Sequence, residues 1–227
     1  MTAFPKRWPV ENPDVLQLYS MATPNGQKIG IMLEEIGLPY EAHTVNIIKN
    51  EQFDEDYLQL NPNNKIPSII DPNGPNGEPL HLMETGAILI YLAEKSGKFL
   101  PTDPARRLET LQWLFFQTAH VGPMLGQFGH FYKFAADKSD DYSKERFITE
   151  CRRILGVLDK RLEGRDWIMG DELTIADFAI GPWIKCIDFY EGHGVLKTAE
   201  FKNVMAYCER LYARPNVKTG AAVCALG

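Results

Sequence analysis

Cysteine is scarce in this sequence of 227 residues, and the four cysteines are widely separated. None of them belongs to a C-x-x-C pair, and no histidine lies at metal-ligand spacing from any of them. This pattern argues against a disulfide framework and against a zinc site, because both require paired ligands. We therefore expect reduced thiols, no bound metal and a cytoplasmic location.

Long apolar runs and clusters of positive charge are also missing. The longest apolar stretches, such as AILIYLA at 87–93, are too short to span a bilayer. The net charge is -6 and the lysines and arginines are scattered, so neither nucleic acid nor a membrane is an expected partner. Residues 1–14 lack the apolar segment of a signal peptide, and we expect them to form a partly ordered N-terminal arm.

Strand and helix patterns alternate over residues 15–100. Short apolar stretches bounded by turn residues predict four strands, in VLQLYS, YEAHTVNI, IPSIID and PLHLME. Apolar residues at helical spacing predict three helices, in GQKIGIMLEEI, EQFDEDYLQLNP and TGAILIYLAEKSG. The resulting order, β-α-β-α-β-β-α, is typical of a compact layered domain of the α/β class.

The rest of the sequence has a different pattern. Residues 101–106 include two prolines and predict a linker, whereas residues 107–227 show only helical periodicity and predict an all-helical domain. Within this domain the stretch LTIADFAIGPW contains Thr174 and Asp177 at the spacing of a helix capping box. That motif reports on folding, so we assign no catalytic role to it.

The turn TPNG, between the first strand and the first helix, has the chemistry of an anion site. Pro24 suits the first helical position, which makes Thr23 the N-cap, with its oxygen accepting from the N–H near Gly26. The Thr23 hydroxyl hydrogen and the N–H groups of Asn25 then point to one spot at the positive end of the helix. Such a spot stabilises a thiolate, and without a nearby cysteine that thiol would belong to a bound molecule. The simpler alternative is that Thr23 and Pro24 only start a helix.

Two further stretches extend this hypothesis. NNKIPSI places Ile66 and Pro67 at the entry to a strand, where a cis peptide would expose the backbone of Ile66 to an extended peptide. METG places Glu84 and Thr85 at the start of a helix, where a carboxylate and a hydroxyl suit an α-amino-acid head group. The alternative is an ordinary Thr85 cap beside a solvated glutamate. Together the three stretches predict one peptide-binding cleft.

These motifs resemble those of the cytosolic glutathione transferases, from Val15 onward and including TIADF in the helical half. The stretches TPNGQKI, NPNNKIPSIID and LQWLFFQ are similar to the nu class, which includes bacterial disulfide-bond oxidoreductases and a yeast nitrogen-catabolite regulator. The resemblance implies a thioredoxin-like N-terminal domain followed by an all-helical C-terminal domain. It also implies a homodimer with glutathione as the co-substrate.

The resemblance further implies a role for each site residue. Thr23 and Asn25 would face the glutathione sulfur as the catalytic pair. The residues implied to bind the rest of glutathione are Gln52, Lys65 at the glycine carboxylate, Ile66 with cis Pro67 at the cysteinyl backbone, Glu84 and Thr85 at the γ-glutamyl end, and the partner subunit's Arg146. The alternative interpretation is that Gln52 is an ordinary loop residue and that Arg146 is a solvated charge on a helix.

Without a protein cysteine at the turn, disulfide reduction would use two glutathione thiols in turn. We therefore expect glutathione-dependent reduction of small disulfides, and the same thiolate could attack peroxides or electrophiles. One alternative is a conventional transferase that conjugates apolar electrophiles. Another is a glutathione-sensing regulatory protein, although the short N-terminal arm is not Asn/Gln-rich and counts against prion-like regulation.

Overall fold

The computed structural model describes residues 4–226, which divide into two units. The first unit contains the described residues up to Ser96 together with those from Pro215 onward. The second unit contains Gly97–Arg214. The first three residues of the predicted N-terminal arm lie outside the described residues.

A four-stranded mixed sheet organises the first unit. Its strands are β1 (Leu16–Ser20), β2 (Tyr40–Thr44), β3 (Ser68–Asp71) and β4 (Leu80–Met83), in the order β2-β1-β3-β4. β1 is parallel to β2 and antiparallel to β3, and β3 is antiparallel to β4. Every residue of β1 and β3 is buried, as expected for central strands that are covered on both faces. The four predicted strands and their order along the chain are confirmed.

Helices make up most of the remaining structure. They are α1 (Pro24–Ile36), α2 (Glu55–Leu58), α3 (Thr85–Ser96), α4 (Pro104–Phe116), α5 (Gly122–Gly129), α6 (Asp141–Arg161), α7 (Ile175–Tyr190), α8 (His193–Leu196), α9 (Lys202–Ala213) and α10 (Pro215–Ala222). The second unit is helical, as predicted, and its apolar core is formed mainly by α5, α6, α7 and α9. Within residues 4–226 no helix combines the length and apolar character needed to cross a membrane.

The helix predicted over EQFDEDYLQLNP is shorter than its periodicity suggests. Only α2 and a preceding 3-10 turn at Glu51–Phe53 form, because the backbone of Asp54 is extended between them. The Asp54 carboxylate accepts from the N–H of Asp56 at 3.0 Å and so starts α2 anew. Phe53 is consequently 56% exposed, whereas Tyr57 is fully buried.

The C-terminal helix departs from the expected boundary, which assigned all of residues 107–227 to the helical domain. Residues of α10 pack on α1 and belong to the first unit. The packing is backbone to backbone: a side chain at Gly220 would collide with the main chain of Ile31, and one at Gly30 with the carbonyl of Gly220. This contact places the last helix against the helix that begins at the TPNG turn.

The described part of the N-terminal arm is packed on the sheet. Trp8 is 8% exposed, and its ring meets those of Tyr19 and Tyr57 edge to face, with 6.1 Å between ring centroids in each pair. Its indole N–H donates to the carbonyl of Thr44 at 2.9 Å. A tryptophan buried in this way ties the arm to the end of β2.

Candidate functional site

The sheet register brings three turns to one edge of the first unit. Tyr19, near the end of β1, lies opposite Ser68, the first residue of β3. Ser68 in turn lies opposite Met83, the last residue of β4. The TPNG turn, the Ile66-Pro67 segment and the Glu84-Thr85 pair therefore all leave the sheet at the same edge.

The TPNG turn adopts the predicted cap geometry. Thr23 is the N-cap of α1, Pro24 is its first residue, and Thr23 Oγ1 accepts from the N–H of Gly26 at 3.3 Å. Gly26 is required because a side chain there would collide with the carbonyl of Met21. Thr23 and Asn25 are both half-buried. The turn is thus tight, and its polar groups lie at the N-terminal end of a 13-residue helix.

Tyr19 and Ser20, the other hydroxyl groups near the turn, are buried in β1. Tyr19 is 0% exposed, and its ring stacks on that of His43 with 4.6 Å between centroids. Burial raises the pKa of the Tyr19 phenol well above its ordinary value. Ser20 is 1% exposed. Neither hydroxyl is placed to meet a molecule arriving from solvent, so both residues serve in packing.

The segment before β3 is held by its backbone. The Ile66-Pro67 peptide is cis, as predicted. The carbonyl of Lys65 accepts from Tyr57 Oη at 2.7 Å and from the side-chain amide of Asn61 at 2.6 Å. The side chain of Lys65 is exposed, whereas Pro67 is buried. The two hydrogen bonds to the Lys65 carbonyl fix the path of the backbone at this point. The Lys65 side chain remains available to a ligand from solvent.

The start of α3 carries an unusual backbone. Glu84 has a φ of 70°, in the left-handed region that non-glycine residues rarely adopt, and its side chain is exposed. Such a conformation costs about 1–3 kcal/mol, and strained residues of this kind cluster at active sites and ligand-binding sites. Thr85, the first residue of α3, is only 9% exposed. An exposed carboxylate on strained backbone therefore lies immediately before a helix N-terminus.

Sequence reasoning missed Lys28, which the structure places behind this helix start. Lys28 is 1% exposed, and its Nζ donates to Thr85 Oγ1 at 3.2 Å. Burial lowers the pKa of Lys28 to about 7, and the nearby Glu84 carboxylate opposes that shift. A signal was present in the sequence: α1 is apolar at nearly every position from Lys28 to Leu33, as is typical of a helix buried on several sides.

Gln52 and Arg146, the two remaining predicted binding residues, lie outside the three turns described above. Gln52 belongs to the 3-10 turn before α2, and its Oε1 is buried without a hydrogen-bond partner within residues 4–226. A buried acceptor of this kind calls for an explanation, such as a missing donor. Arg146 lies in the second unit, exposed on α6 beside a cavity of about 590 Å³. The cavity is lined by Met124, Tyr142, Glu145, Arg146, Phe147, Thr149 and Glu150.

None of the protein's own thiols is prepared for nucleophilic attack. All four cysteines are free thiols. Burial raises the pKa of Cys151 and Cys208 to about 12, and it also raises the pKa values of Cys186 and Cys224. The thiolate is the reactive form, so each shift suppresses reactivity. The described residues also contain no group of three or more acidic, histidine or cysteine side chains arranged to hold a metal ion.

Both halves of the chain match known family descriptions. Residues 22–95 match the N-terminal domain of glutathione S-transferases, and residues 110–215 match the C-terminal domain. Two Escherichia coli (strain K12) proteins, the disulfide-bond oxidoreductases YghU and YfcG, are each 42% identical to the chain over 217 and 210 residues. Each alignment covers 92% of this chain, with 74% of YghU and 94% of YfcG.

A solved structure agrees over nearly the whole length. It is a crystal structure of a glutathione transferase family member from Pseudomonas fluorescens Pf-5 with two glutathione bound. Its TM-score is 0.96 at 50% sequence identity, and the superposition covers 98% of this chain and 100% of that chain. The predicted fold class, a thioredoxin-like domain followed by an all-helical domain, is confirmed. The chain belongs to the glutathione transferase family.

Proposed function

We propose that the protein binds glutathione and reduces small disulfides with bound glutathione thiols rather than with a cysteine of its own. The observation that carries the proposal is the pairing of two facts. Three turns with anion-binding and peptide-binding groups meet at one sheet edge, while burial raises the pKa of all four protein thiols. The names of the Escherichia coli relatives and the two glutathione molecules bound by the Pseudomonas protein support the same activity.

In the first step, one glutathione thiolate attacks a disulfide. A bond forms between the glutathione sulfur and one substrate sulfur, and the other substrate sulfur leaves as a thiolate that takes up a proton. The hydroxyl of Thr23 and the N–H groups of Asn25 stabilise the attacking thiolate at the positive end of α1. Their role is to keep the sulfur ionised and aimed at the substrate.

In the second step, a second glutathione thiolate attacks the glutathione sulfur of the mixed disulfide. Oxidised glutathione forms, and the remaining substrate thiolate leaves and is protonated. Two glutathione thiols are thereby oxidised, and one disulfide is reduced to two thiols. The protons lost by the glutathione thiols balance those gained by the products, so the reaction needs no further reductant.

The rest of glutathione is held by the remaining site residues. The backbone of Ile66 pairs with the cysteinyl residue, and Lys65 reaches the glycine carboxylate. Glu84 pairs with the γ-glutamyl ammonium, and Thr85 with the start of α3 binds its carboxylate. Gln52 supplies a further polar contact. In a homodimer, the partner subunit's Arg146 completes the site.

The proposal also covers location and other substrates. We place the protein in the cytoplasm, where glutathione maintains a reducing poise. The same thiolate could attack peroxides and apolar electrophiles, because each of these reactions begins with nucleophilic attack by the glutathione sulfur.

A side-by-side assay tests the proposed activity. Purified protein and glutathione are given a small symmetric disulfide, coupled to glutathione reductase, or an aromatic chloride acceptor. Fast disulfide turnover with slow conjugation is the expected result. The reverse ranking would make the protein a conventional conjugating transferase. Glutathione binding without either activity would favour a sensing role.

A further inference from the structure

Lys28 is the charged side chain at this site to which the proposed function gives no task. It is 1% exposed and donates to Thr85 Oγ1 at 3.2 Å. Lysine is rarely buried, because removing its ammonium group from water carries a large free-energy cost. The burial of Lys28 thus lowers the stability of the fold, and the same side chain donates a hydrogen bond to Thr85, the residue proposed to bind the γ-glutamyl carboxylate of glutathione.

We propose that Lys28 is a positioning residue for glutathione, which orients the Thr85 hydroxyl and supplies positive charge for the α-carboxylate of the γ-glutamyl group. The inference rests on the proposed function and deepens it, since it assigns a new role within the same site.

Hydrogen-bond roles determine the direction in which Thr85 can act. An ammonium group only donates, so Thr85 Oγ1 must accept from Lys28. The hydroxyl proton of Thr85 is then directed to another acceptor. The first backbone N–H groups of α3 have no acceptor within their helix. A carboxylate at this point would accept from both kinds of donor, with the Lys28 charge one hydrogen bond further away.

The charges of the site match those of an amino-acid head group. Glu84 presents a carboxylate outside α3, and Lys28 presents an ammonium within the first unit. A γ-glutamyl group carries the complementary pair, with its ammonium next to Glu84 and its carboxylate next to Thr85. Two opposite charges in the protein thus meet two opposite charges in the ligand, and the occupied site remains neutral overall.

Ligand binding should change the protonation of Lys28. Burial lowers the pKa of Lys28 to about 7, and a carboxylate placed near it favours the charged form. Above neutral pH, binding should therefore draw a proton from solvent. Helix α1 packs against α3 and α10. Glu84 is the charged group that acts on Lys28 from the α3 side, and the charged residue of α10 is the exposed Lys218.

Calorimetry on the wild-type protein gives the first test. S-methylglutathione has no free thiol, so ionisation of the ligand sulfur cannot contribute to its binding heat. Its binding at pH 8, measured in buffers of different ionisation enthalpy, therefore reports the protons taken up by other groups. The comparison ligand has 4-aminobutyrate in place of the γ-glutamyl group and therefore keeps the ammonium but lacks the α-carboxylate. We expect greater proton uptake with S-methylglutathione. Equal uptake with the two ligands would overturn the proposal.

Lys28→Met gives the second test. The variant should bind S-methylglutathione about tenfold more weakly, because a charge-assisted interaction is lost. Its affinity for the comparison ligand should be unchanged. Its unfolding free energy should be equal or higher, since a buried charge is replaced by an apolar chain. Lys218→Met, which removes an exposed lysine from the neighbouring helix, should alter neither property.

The outcomes separate this inference from the proposed function. Equal losses of affinity for the two ligands in Lys28→Met, or no loss for either, would contradict the positioning role. If that variant does not fold, the proton uptake of the wild type decides the question. If the wild-type protein did not bind S-methylglutathione, that result would instead contradict the proposed function itself.

Discussion

Two helices of this protein begin with a threonine and a nearby carboxylate, and their surroundings are opposite. At the start of α7, Thr174 and Asp177 are both 0% exposed. The Asp177 carboxylate accepts from the N–H groups of Ile168 and Thr174, at 2.9 and 2.8 Å. At the start of α3, Glu84 is exposed and has a positive φ. One carboxylate satisfies the protein's own donors, and the other is turned to solvent.

The difference separates a folding motif from a binding motif made of the same residue types. Burial raises the pKa of Asp177 to about 6, against the opposing effect of its hydrogen bonds. That carboxylate is enclosed, and a ligand could not reach it. Glu84 instead lies on strained backbone near a buried lysine, and its side chain is exposed to solvent. Burial and strain, rather than residue type, distinguish the two helix starts.

Asp177→Ala should produce the largest effect, and the effect should be on folding. Removing the carboxylate leaves the buried N–H groups of Ile168 and Thr174 without their acceptor. The expected loss is about 3 kcal/mol of unfolding free energy, measured by urea denaturation. The folded fraction should keep its affinity for S-methylglutathione. If the variant instead bound S-methylglutathione more weakly at an unchanged unfolding free energy, the start of α7 would have a binding role and the comparison would be wrong.

Thr23→Ala and Asn25→Ala extend the comparison to the start of α1. Each should lower disulfide turnover roughly tenfold or more, because a hydrogen bond to a charged sulfur is lost. Tyr19→Phe and Ser20→Ala, which alter buried hydroxyls of β1, should have smaller effects. Initial rates with a fixed disulfide and saturating glutathione provide the measurement. An equal or larger loss in either β1 variant would place the activating group elsewhere.

Glu84→Gly should weaken glutathione binding without lowering the stability of the fold. Glycine adopts a positive φ without strain, so the unfolding free energy should be unchanged or higher. The affinity for glutathione should fall about tenfold with the loss of the carboxylate. Glu84→Gln is the matched control, because it removes the charge but keeps a side chain at the strained position. If both variants bind glutathione as tightly as the wild type, the carboxylate does not face the ligand.

Replacing all four cysteines should have the smallest effect on chemistry. Cys151, Cys186, Cys208 and Cys224 are buried or half-buried thiols whose pKa values are raised. A variant with alanine or serine at these positions should retain disulfide reduction, provided that circular dichroism shows it to be folded. A folded but inactive variant would refute a mechanism that relies on glutathione thiols alone.

Much of the first unit could be read from local patterns. The strands and the Thr23 cap follow from apolar spacing and turn residues close together in sequence. The cis Ile66-Pro67 peptide was implied by the family resemblance and is confirmed. The break at Asp54 was missed, because a side chain that caps a helix interrupted a continuous apolar period. The roles given to Gln52 and Arg146 came from resemblance, and they stay predictions.

The sequence by itself determined the order of the elements and the helix starts, since each depends on residues within a few positions of one another. It also indicated the family, through short motifs spread along the chain. Tertiary structure alone decided that Lys28 is buried against Thr85 and that Gly220 brings α10 onto α1. Both depend on contacts between residues far apart in the chain. The burial of a charge and the closeness of two backbones are set by what surrounds a residue, and its sequence neighbours do not specify those surroundings.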